Sequence, residues 1–544
     1  MYTIEDMEIS PILEEILSKR GIKTGSQRDS FLNPQYEDLH DPFLLKDMDK
    51  AVEAISSSIK RGDNIVVYGD YDIDGLSATA LLLDGITAMG GKISAYIPDR
   101  FEEGYGINTK ALKKLKKQAA DLVITVDCGS TSHESLTWAK ENNLDVIVTD
   151  HHLTKDTLPP AVAVINPKRT DDEYPFKDLA GVGVAFKLVQ GLQSKGLLPR
   201  GREKWLLDLV ALGSVCDVVS LTGENRVLVK YGLTVFAKTS RIGLKALMAV
   251  AGVNREDIDT YHFGFVLGPR LNAAGRLSHA KLALDLFTAT DKNQAWQIAD
   301  KLDKLNSERR SQQDQITIMA EDQALEHHQD NVLVLSHSDW NHGIVGIVAA
   351  KITEEFNKPT IILQEMGDES KGSARSKGSF NIVEGMSAAD DLLIKYGGHK
   401  VAAGCTLKTA DINKFRQKIN KYFKDNNHTN KTQEPDFDVE LQDISMLTHD
   451  LVKELEMLRP FGMGNSTPVF LHNKAHITNK SLVGADSKHL KFRLSDGDSH
   501  LSAIAFNFGK IADDIGDVAK VFFELDENYF NGITSLQAKV KAVR

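Results

Sequence analysis

The sequence predicts an α/β protein: a parallel-sheet core, a long connecting helix, a second α/β unit and a C-terminal β-barrel. Three observations carry that expectation. Short β-rich runs alternate with helical patterns between residues 63 and 166. No glycine or proline interrupts the stretch from Leu282 to Asp330. The last roughly 80 residues alternate polar and apolar positions between Gly, Asp and Asn turns.

Composition bounds the function classes. At 544 residues the chain exceeds what one hydrophobic core normally serves, so several domains are expected. With 42% hydrophobic and 26% charged residues it belongs with globular proteins. No apolar run approaches the roughly 20 residues that span a bilayer, so a membrane reading is excluded. Cys128, Cys216 and Cys405 form no CxxC pair, and the N-terminus is acidic rather than signal-like. The reducing cytoplasm is therefore the expected compartment. The net charge of −11 argues against a protein that coats itself in nucleic acid. Any nucleic-acid contact must use a local basic track.

In chain order, residues 1–45 read as an N-terminal helical segment without an assigned role. Residues 46–280 read as the core, with strands at NIVVYG (64–69), ISAYIP (93–98), DLVITVD (121–127), LDVIVTD (144–150) and AVAVIN (161–166). The Lys run KALKKLKK (110–117) reads as a solvated helix face, and Leu179 to Met248 is largely helical. Residues 281–330 form the connecting helix, without the sustained heptads of a coiled coil. A second α/β unit occupies 331–425, and the polar segment 424–435 is a linker. Residues 436–465 connect to the β-barrel of 466–544.

The chemistry sits at strand ends. GDYDIDG places Asp70, Asp72 and Asp74 in the turn after the first strand, VDCG places Asp127 after the third, and TDHH places Asp150, His151 and His152 after the fourth. Asp217 closes the apolar run ALGSVCD. Open parallel sheets bind ligands outside the carboxyl ends of their strands, so these groups share one crevice. A lone Asp at such a place, Asp70 for example, is usually a turn former or cap. Carboxylates gathered this closely repel, and a divalent cation resolves the conflict. Oxygen donors with imidazole and no thiolate favour Mn²⁺ or Mg²⁺ over zinc. Six candidate ligands suit two ions, and phosphoester hydrolysis is the chemistry that most often uses such a pair.

The motifs GDYDIDG, VDCG, TDHH and VCDV resemble those of the DHH phosphoesterase superfamily. GPRLNAAGR (268–276), WNHGIVGIVAAKI (340–352), KGSARS (371–376), YGGHKVAAG (396–404) and RPFGMGNSTPVF (459–470) are similar, within it, to the RecJ family of single-strand-specific 5′→3′ exonucleases. The resemblance runs from about Phe43 to near the C-terminus. It implies a DHH core, a DHH-associated domain and a terminal OB-like barrel. It implies one metal on Asp74, Asp127, His151 and Asp217, and a second on Asp72 and the shared Asp127. It also implies that His152 contacts the scissile phosphate and that Asp150 orients its neighbouring histidine. Asp70 is left as a weak ligand or a group behind the ligands. Tyr68 and Gly69 stand where pyrophosphatases of the superfamily carry a histidine, which disfavours that activity.

Ser373, Arg375 and His399 lie in Gly-rich segments read as loops, where backbone amides and a guanidinium suit a phosphate. The resemblance makes them contacts to the nucleic-acid strand, including its 5′ end. Arg100, Arg270 and Arg276 are further candidates for substrate contact, weighed against surface ion pairs. The barrel supplies a basic track: residues 466–544 carry ten basic and nine acidic residues, and Lys474, Lys480, Lys488, Lys491 and Arg493 cluster with only Asp486 among them. Phe492 and Phe506 alternate nearby as candidates for base stacking. A channel between core and associated domain that admits one strand and excludes a duplex is the expected source of selectivity.

The resulting expectation is a monomeric cytoplasmic enzyme that releases 5′-mononucleotides from single-stranded DNA in recombination and repair. Single-strand-binding protein and a RecQ-type helicase are its implied partners. Two alternatives stand beside it: a phosphodiesterase on short oligoribonucleotides or cyclic dinucleotides, and a non-catalytic DNA-binding scaffold. The terminal barrel disfavours the first, and the intact motifs disfavour the second.

Overall fold

A computed structural model describes residues 9–100, 102–430 and 434–544. The extreme N-terminus and part of the expected linker, residues 431–433, lie outside the described residues. The chain divides into two compact units, Met1–Gly268 with Glu434–Arg544, and Pro269–Gln433.

The first unit is built on a five-stranded parallel sheet of β1 (Asn64–Gly69), β2 (Lys92–Tyr96), β3 (Leu122–Val126), β4 (Asp145–Thr149) and β5 (Ala163–Ile165), in the order β2-β1-β3-β4-β5. Every residue of β3 is buried, as expected of a strand covered on both faces. On one face, α5 (Thr109–Lys117) and α6 (His133–Glu141) bury Leu112, Leu115 and Leu136 against Val66, Val123 and Val146. The lysines of α5 stay outside while Ala111, Leu112 and Leu115 face in. α3 (Met48–Arg61) packs beside β5. α4 (Ile73–Ala88) and α7 (Gly181–Ser194) also lie on the sheet, and α4 is buried on nearly all sides because α8 (Leu207–Cys216) covers it. α9 (Gly223–Ala237) and α10 (Ile242–Val250) follow, then a π-helical turn over His262–Leu267. Strand order reverses between β1 and β3, and the site opens at the carboxyl ends beside that reversal.

The same unit carries a closed barrel. β12 (Val469–Val483), β13 (His489–Asp496), β14 (Ser499–Ala505), β16 (Ile533–Val543) and β15 (Val518–Phe530) pair in that order, and β15 returns to β12. Two register breaks, at His472/Ala475 and Thr478/Ser481, let the long β12 pair with β15 along one half and β13 along the other. β11 (Val439–Glu440) lies parallel to β12 outside the ring. The barrel's apolar cluster also takes in Ile12, Leu13 and Ile16 of α1 (Pro11–Lys19), Leu32 of α2 (Gly25–Leu32), and Leu451 and Leu455 of α17 (His449–Glu456). Arg226 of α9 ties these pieces together, donating to the carbonyls of Phe31 (2.7 Å), Leu458 (2.8 Å) and Met457 (3.2 Å).

The second unit holds α12 (Lys281–Phe287), the 35-residue α13 (Lys292–Glu326) and a mixed sheet. α11 (Gly268–Leu277) begins at the boundary. The sheet orders β6 (Leu333–His337), β7 (Thr360–Met366), β8 (Glu369–Arg375), β10 (Ala402–Lys408) and β9 (Leu393–His399) as β6-β7-β8-β10-β9. Only β6 and β7 are parallel, joined through α14 (Val345–Phe356). α15 (Ile382–Ser387) and α16 (Ile412–Asp425) complete its core.

The Gly-rich segments expected as loops are strands. A Cβ on Gly372 would lie 2.2 Å from the Ile362 carbonyl oxygen, and one on Gly398 (φ +146°) would lie 2.4 Å from that of Ala402. These glycines serve close backbone approach inside a sheet, which local composition does not distinguish from a turn. Phe492 is likewise a core residue, 3% exposed, whereas Phe506 is half exposed against His489. Among the described residues no helix is long and apolar enough to cross a membrane.

Candidate metal centre

Local chain geometry aims each candidate donor. Asp72 caps α4, its Oδ1 accepting the Gly75 N–H at 3.1 Å. Asp74, in the first turn of α4, is buried and accepts the N–H groups of Gly181 (2.6 Å) and Val182 (2.8 Å) from the start of α7. Asp127 follows β3 with φ +60°, a left-handed conformation uncommon outside glycine, and its N–H donates to the Thr149 carbonyl at 3.0 Å. α7 can approach it only because residue 181 is glycine: a Cβ there would sit 2.7 Å from Asp127 Cβ.

Beyond β4, Asp150 is consumed by hydrogen bonds. Its Oδ2 accepts the Ser130 N–H (2.9 Å), and its Oδ1 accepts the N–H groups of His151 (2.7 Å) and His152 (3.1 Å) and lies 2.8 Å from His152 Nδ1. It holds the backbone of both histidines and the ring of His152, and has little left for a cation. His151 Nε2 stands 3.1 Å from Asp127 Oδ1, 3.6 Å from Asp217 Oδ2 and 3.9 Å from Asp74 Oδ2.

Three sets of donor atoms converge: Asp74, His151 and Asp217; Asp127, His151 and His152; Asp70, Asp72 and Asp127. Within each set the atoms lie within 4.8 Å of one another. Asp70 Oδ1, Asp127 Oδ1 and His151 Nε2 are buried and make no hydrogen bond. Buried polar atoms normally find partners, so these orphaned oxygen and nitrogen donors fit divalent cations.

The electrostatics agree. Burial, and then the neighbouring Asp72, push Asp70 up to about 8 and Asp217 up to about 7. Asp74 and Asp127 are driven well above the carboxylate range by burial and then by adjacent carboxylates. Burial and the charge of His152 lower His151 to about 4, which favours its neutral, electron-donating form. At His152, burial opposes protonation, but the hydrogen bond and charge of Asp150 outweigh it and raise the pKa.

The remaining expected residues fall in separate places. Arg100 stacks over the Tyr71 ring at 5.1 Å, on the rim of the site. In the second unit, Arg375 and His399 flank Ala402 in one transverse row of the sheet, and Ser373 lies in the next row beside Gly404 and Gly397. The three share one face, with a floor bare of side chains at Gly397 and Gly404. The first turn of α14 stands by, since a Cβ on Gly346 would be 3.2 Å from Ser373 Oγ and 3.5 Å from Arg375 Nη2. Arg270 Nε donates to Asp303 at 2.8 Å, and Arg276 Nη1 donates to the Gly343 carbonyl at 3.0 Å. On the barrel, Lys491 and Arg493 point outward on β13. Sequence reasoning missed Gly181, which carries no local signal. It also missed Tyr105, whose hydroxyl lies 3.1 Å from His152 Nδ1; an aromatic set between two glycines after a strand was the available signal.

A parallel sheet that offers carboxylates and imidazoles from three strand ends defines the class of DHH phosphoesterases. Residues 64–214 match the DHH family, N-terminal domain, 329–425 the DHHA1 domain, and 436–542 the RecJ OB domain. The chain is 37% identical to the single-stranded-DNA-specific exonuclease RecJ of Bacillus subtilis, over 99% of this chain and 68% of that protein. It is 34% identical to the Escherichia coli protein of the same name, over 97% and 95%. The structure of RecJ from Thermus thermophilus in complex with Mn²⁺ superposes with a TM-score of 0.86 at 30% identity, covering 100% of this chain and 77% of that one. A Mg²⁺ complex from the same organism gives 0.80, at 28% identity and 100% and 76% coverage. The chain belongs to the RecJ exonuclease family.

Proposed function

We propose that the chain is a metal-dependent exonuclease that shortens single-stranded DNA from its 5′ end and releases 5′-mononucleotides. The observation that carries this reading is the cluster of buried, unpartnered carboxylate and imidazole atoms at the strand ends. The names of its relatives supply the substrate class.

Asp74, Asp127, His151 and Asp217 would hold one divalent ion, and Asp72 with Asp127 the other, Mn²⁺ or Mg²⁺ in each case. Such ions polarise a phosphoryl oxygen and lower the pKa of a bound water. The chain's own groups do the rest. Asp150 holds His152 by Nδ1, and its other nitrogen, beside the Tyr105 hydroxyl, would face the scissile phosphate. Asp74 is kept in place by two backbone N–H groups, so the ligand geometry is set before any ion arrives. Ser373, Arg375 and His399 border a glycine floor suited to the strand's phosphates and its 5′ end. Arg100, Arg270 and Arg276 add positive charge for the same backbone. Lys491 and Arg493 on the barrel extend the basic track. We place the enzyme in the cytoplasm as a monomer, in recombination and repair, with single-strand-binding protein and a RecQ-type helicase as partners; three cysteines in no disulfide accord with that compartment.

The test is product analysis on a 3′-labelled single-stranded oligonucleotide with Mn²⁺, run beside Asp127→Ala. Progressive shortening of the labelled strand, absent in the variant, is expected. Immediate release of labelled mononucleotide would reverse the polarity. No cleavage would transfer the reading to small phosphodiesters.

A further inference from the structure

The loop after β2 presents one aromatic side chain over the metal centre, and nothing in the ligand set explains it. Tyr105 is 55% exposed, yet its hydroxyl is committed. It donates to the Asp127 carbonyl at 3.3 Å, and its oxygen lies 3.1 Å from Nδ1 and 3.2 Å from Nε2 of His152. The ring meets that of His152 edge-on at 5.6 Å, and Tyr71 meets it from another side at 6.5 Å.

The placement is built by the chain around it. Gly104 (φ +77°) and Gly106 (φ +83°) flank Tyr105, and both occupy the left-handed region. The loop is fastened on either side. The Glu103 carboxylate accepts the Tyr96 hydroxyl at 2.8 Å and the Asp99 N–H at 3.1 Å, and the buried Tyr68 hydroxyl donates to the Gly106 carbonyl at 3.0 Å. An exposed ring on a loop held this firmly is positioned rather than stray.

From this geometry we infer that Tyr105 is a positioning residue for catalysis: its hydroxyl locks the His152 ring against the backbone of Asp127. Apart from Tyr105, the His152 ring is held through Nδ1 by Asp150 and meets the His151 ring edge-on at 4.5 Å. The phenol adds a contact on a further side and fixes the second nitrogen relative to Asp127, the ligand that both ions would share. Asp127 itself sits in an uncommon backbone conformation, and the same hydroxyl satisfies its carbonyl. This inference rests on the proposed role of His152 at the scissile phosphate, and it requires a phosphodiester substrate but not DNA in particular.

Tyr105→Phe deletes the hydroxyl and keeps the ring. With Mn²⁺ and single-stranded DNA, kcat is expected to fall about tenfold while KM stays within about twofold. In a His152→Ala background the same change is expected to cost at most about twofold further, because the contact to His152 is already gone and only the hydrogen bond to the Asp127 carbonyl remains to be lost. In metal-free, ¹⁵N-histidine-labelled protein, the His152 ring resonances, assigned by their loss in His152→Ala, are expected to shift in Tyr105→Phe. A kcat equal to that of the unsubstituted enzyme, a full additional loss in the His152→Ala background, or unmoved His152 resonances would each overturn the inference. If the unsubstituted protein fails on DNA, the proposed function fails instead. The cycle then moves to bis(4-nitrophenyl) phosphate, and the ring resonances of the metal-free protein decide the role of Tyr105.

Discussion

His151 Nε2 and Asp127 Oδ1 face each other at 3.1 Å, both buried, and make no hydrogen bond. Two such buried groups would ordinarily pair, or one would turn away. They stay in place because separate strands hold their backbones and Asp150 holds the histidine's N–H. Their unpartnered lone pairs suit a cation, and each of the two residues belongs to two of the converging donor sets.

Asp127→Ala removes one of these two shared donors. Exonuclease activity is expected to fall about 10³-fold or more, and calorimetric titration with Mn²⁺ should lose the tighter binding event. The fold should survive, since the substitution deletes a carboxyl that is costly to bury unpaired. Retained activity would move the metal centre elsewhere.

Metal-free protein should lose stability as pH rises. Asp70 and Asp217 have folded pKa values near 8 and 7 against an ordinary 3.8. A carboxyl raised on folding binds its proton more tightly in the folded state. Its contribution is full below about pH 4 and is lost as pH climbs through 7 to 8. In chelator, Tm should therefore drop between about pH 5 and pH 8, and Mn²⁺ should flatten the slope. A metal-free Tm that rises across this window would contradict the burial argument.

Gly181→Ala tests how closely α7 must approach. The added methyl would sit 2.7 Å from Asp127 Cβ, so helix or ligand must shift. A stability loss of about 1–3 kcal/mol is expected from overpacking. Weaker Mn²⁺ binding should accompany it, because α7 also supplies the N–H groups that hold Asp74. Differential scanning calorimetry and metal titration read the two effects separately.

Arg375→Ala should act on binding more than on chemistry. KM for single-stranded DNA is expected to rise about tenfold or more, with a smaller change in kcat. The effect should be larger on oligonucleotides with a 5′ phosphate than on those with a 5′ hydroxyl. Equal effects on both would separate Arg375 from recognition of the 5′ end.

Reversing charge at Lys491 and Arg493 should weaken DNA binding uniformly across sequences. The slope of log affinity against log salt is expected to lessen by about 2, one for each lost phosphate contact. Fluorescence anisotropy over a salt series checks this. An unchanged slope would put the barrel's basic face outside the path of the strand.

The sequence by itself determined the parallel sheet, the long helix, the closed barrel and the strand-end location of the chemistry. Each of these is written locally: apolar runs of strand length, a stretch free of glycine and proline, and acids placed one turn beyond a strand. Tertiary structure decided which atoms remain available. Asp150 reads in sequence as one more strand-end acid, yet four neighbouring donors consume it, and Asp127 keeps an oxygen free. Glycines 372 and 398 look like loop residues, and only the neighbouring strands show that they permit close pairing. Gly181 matters because a Cβ there would lie 2.7 Å from Asp127 Cβ, and Tyr105 because its hydroxyl lies 3.1 Å from His152 Nδ1, both residues far away in the chain. Periodicity and composition report how a segment treats its own two faces. Distances between segments are set by how they pack together, and those distances turn a set of acids and histidines into a metal centre.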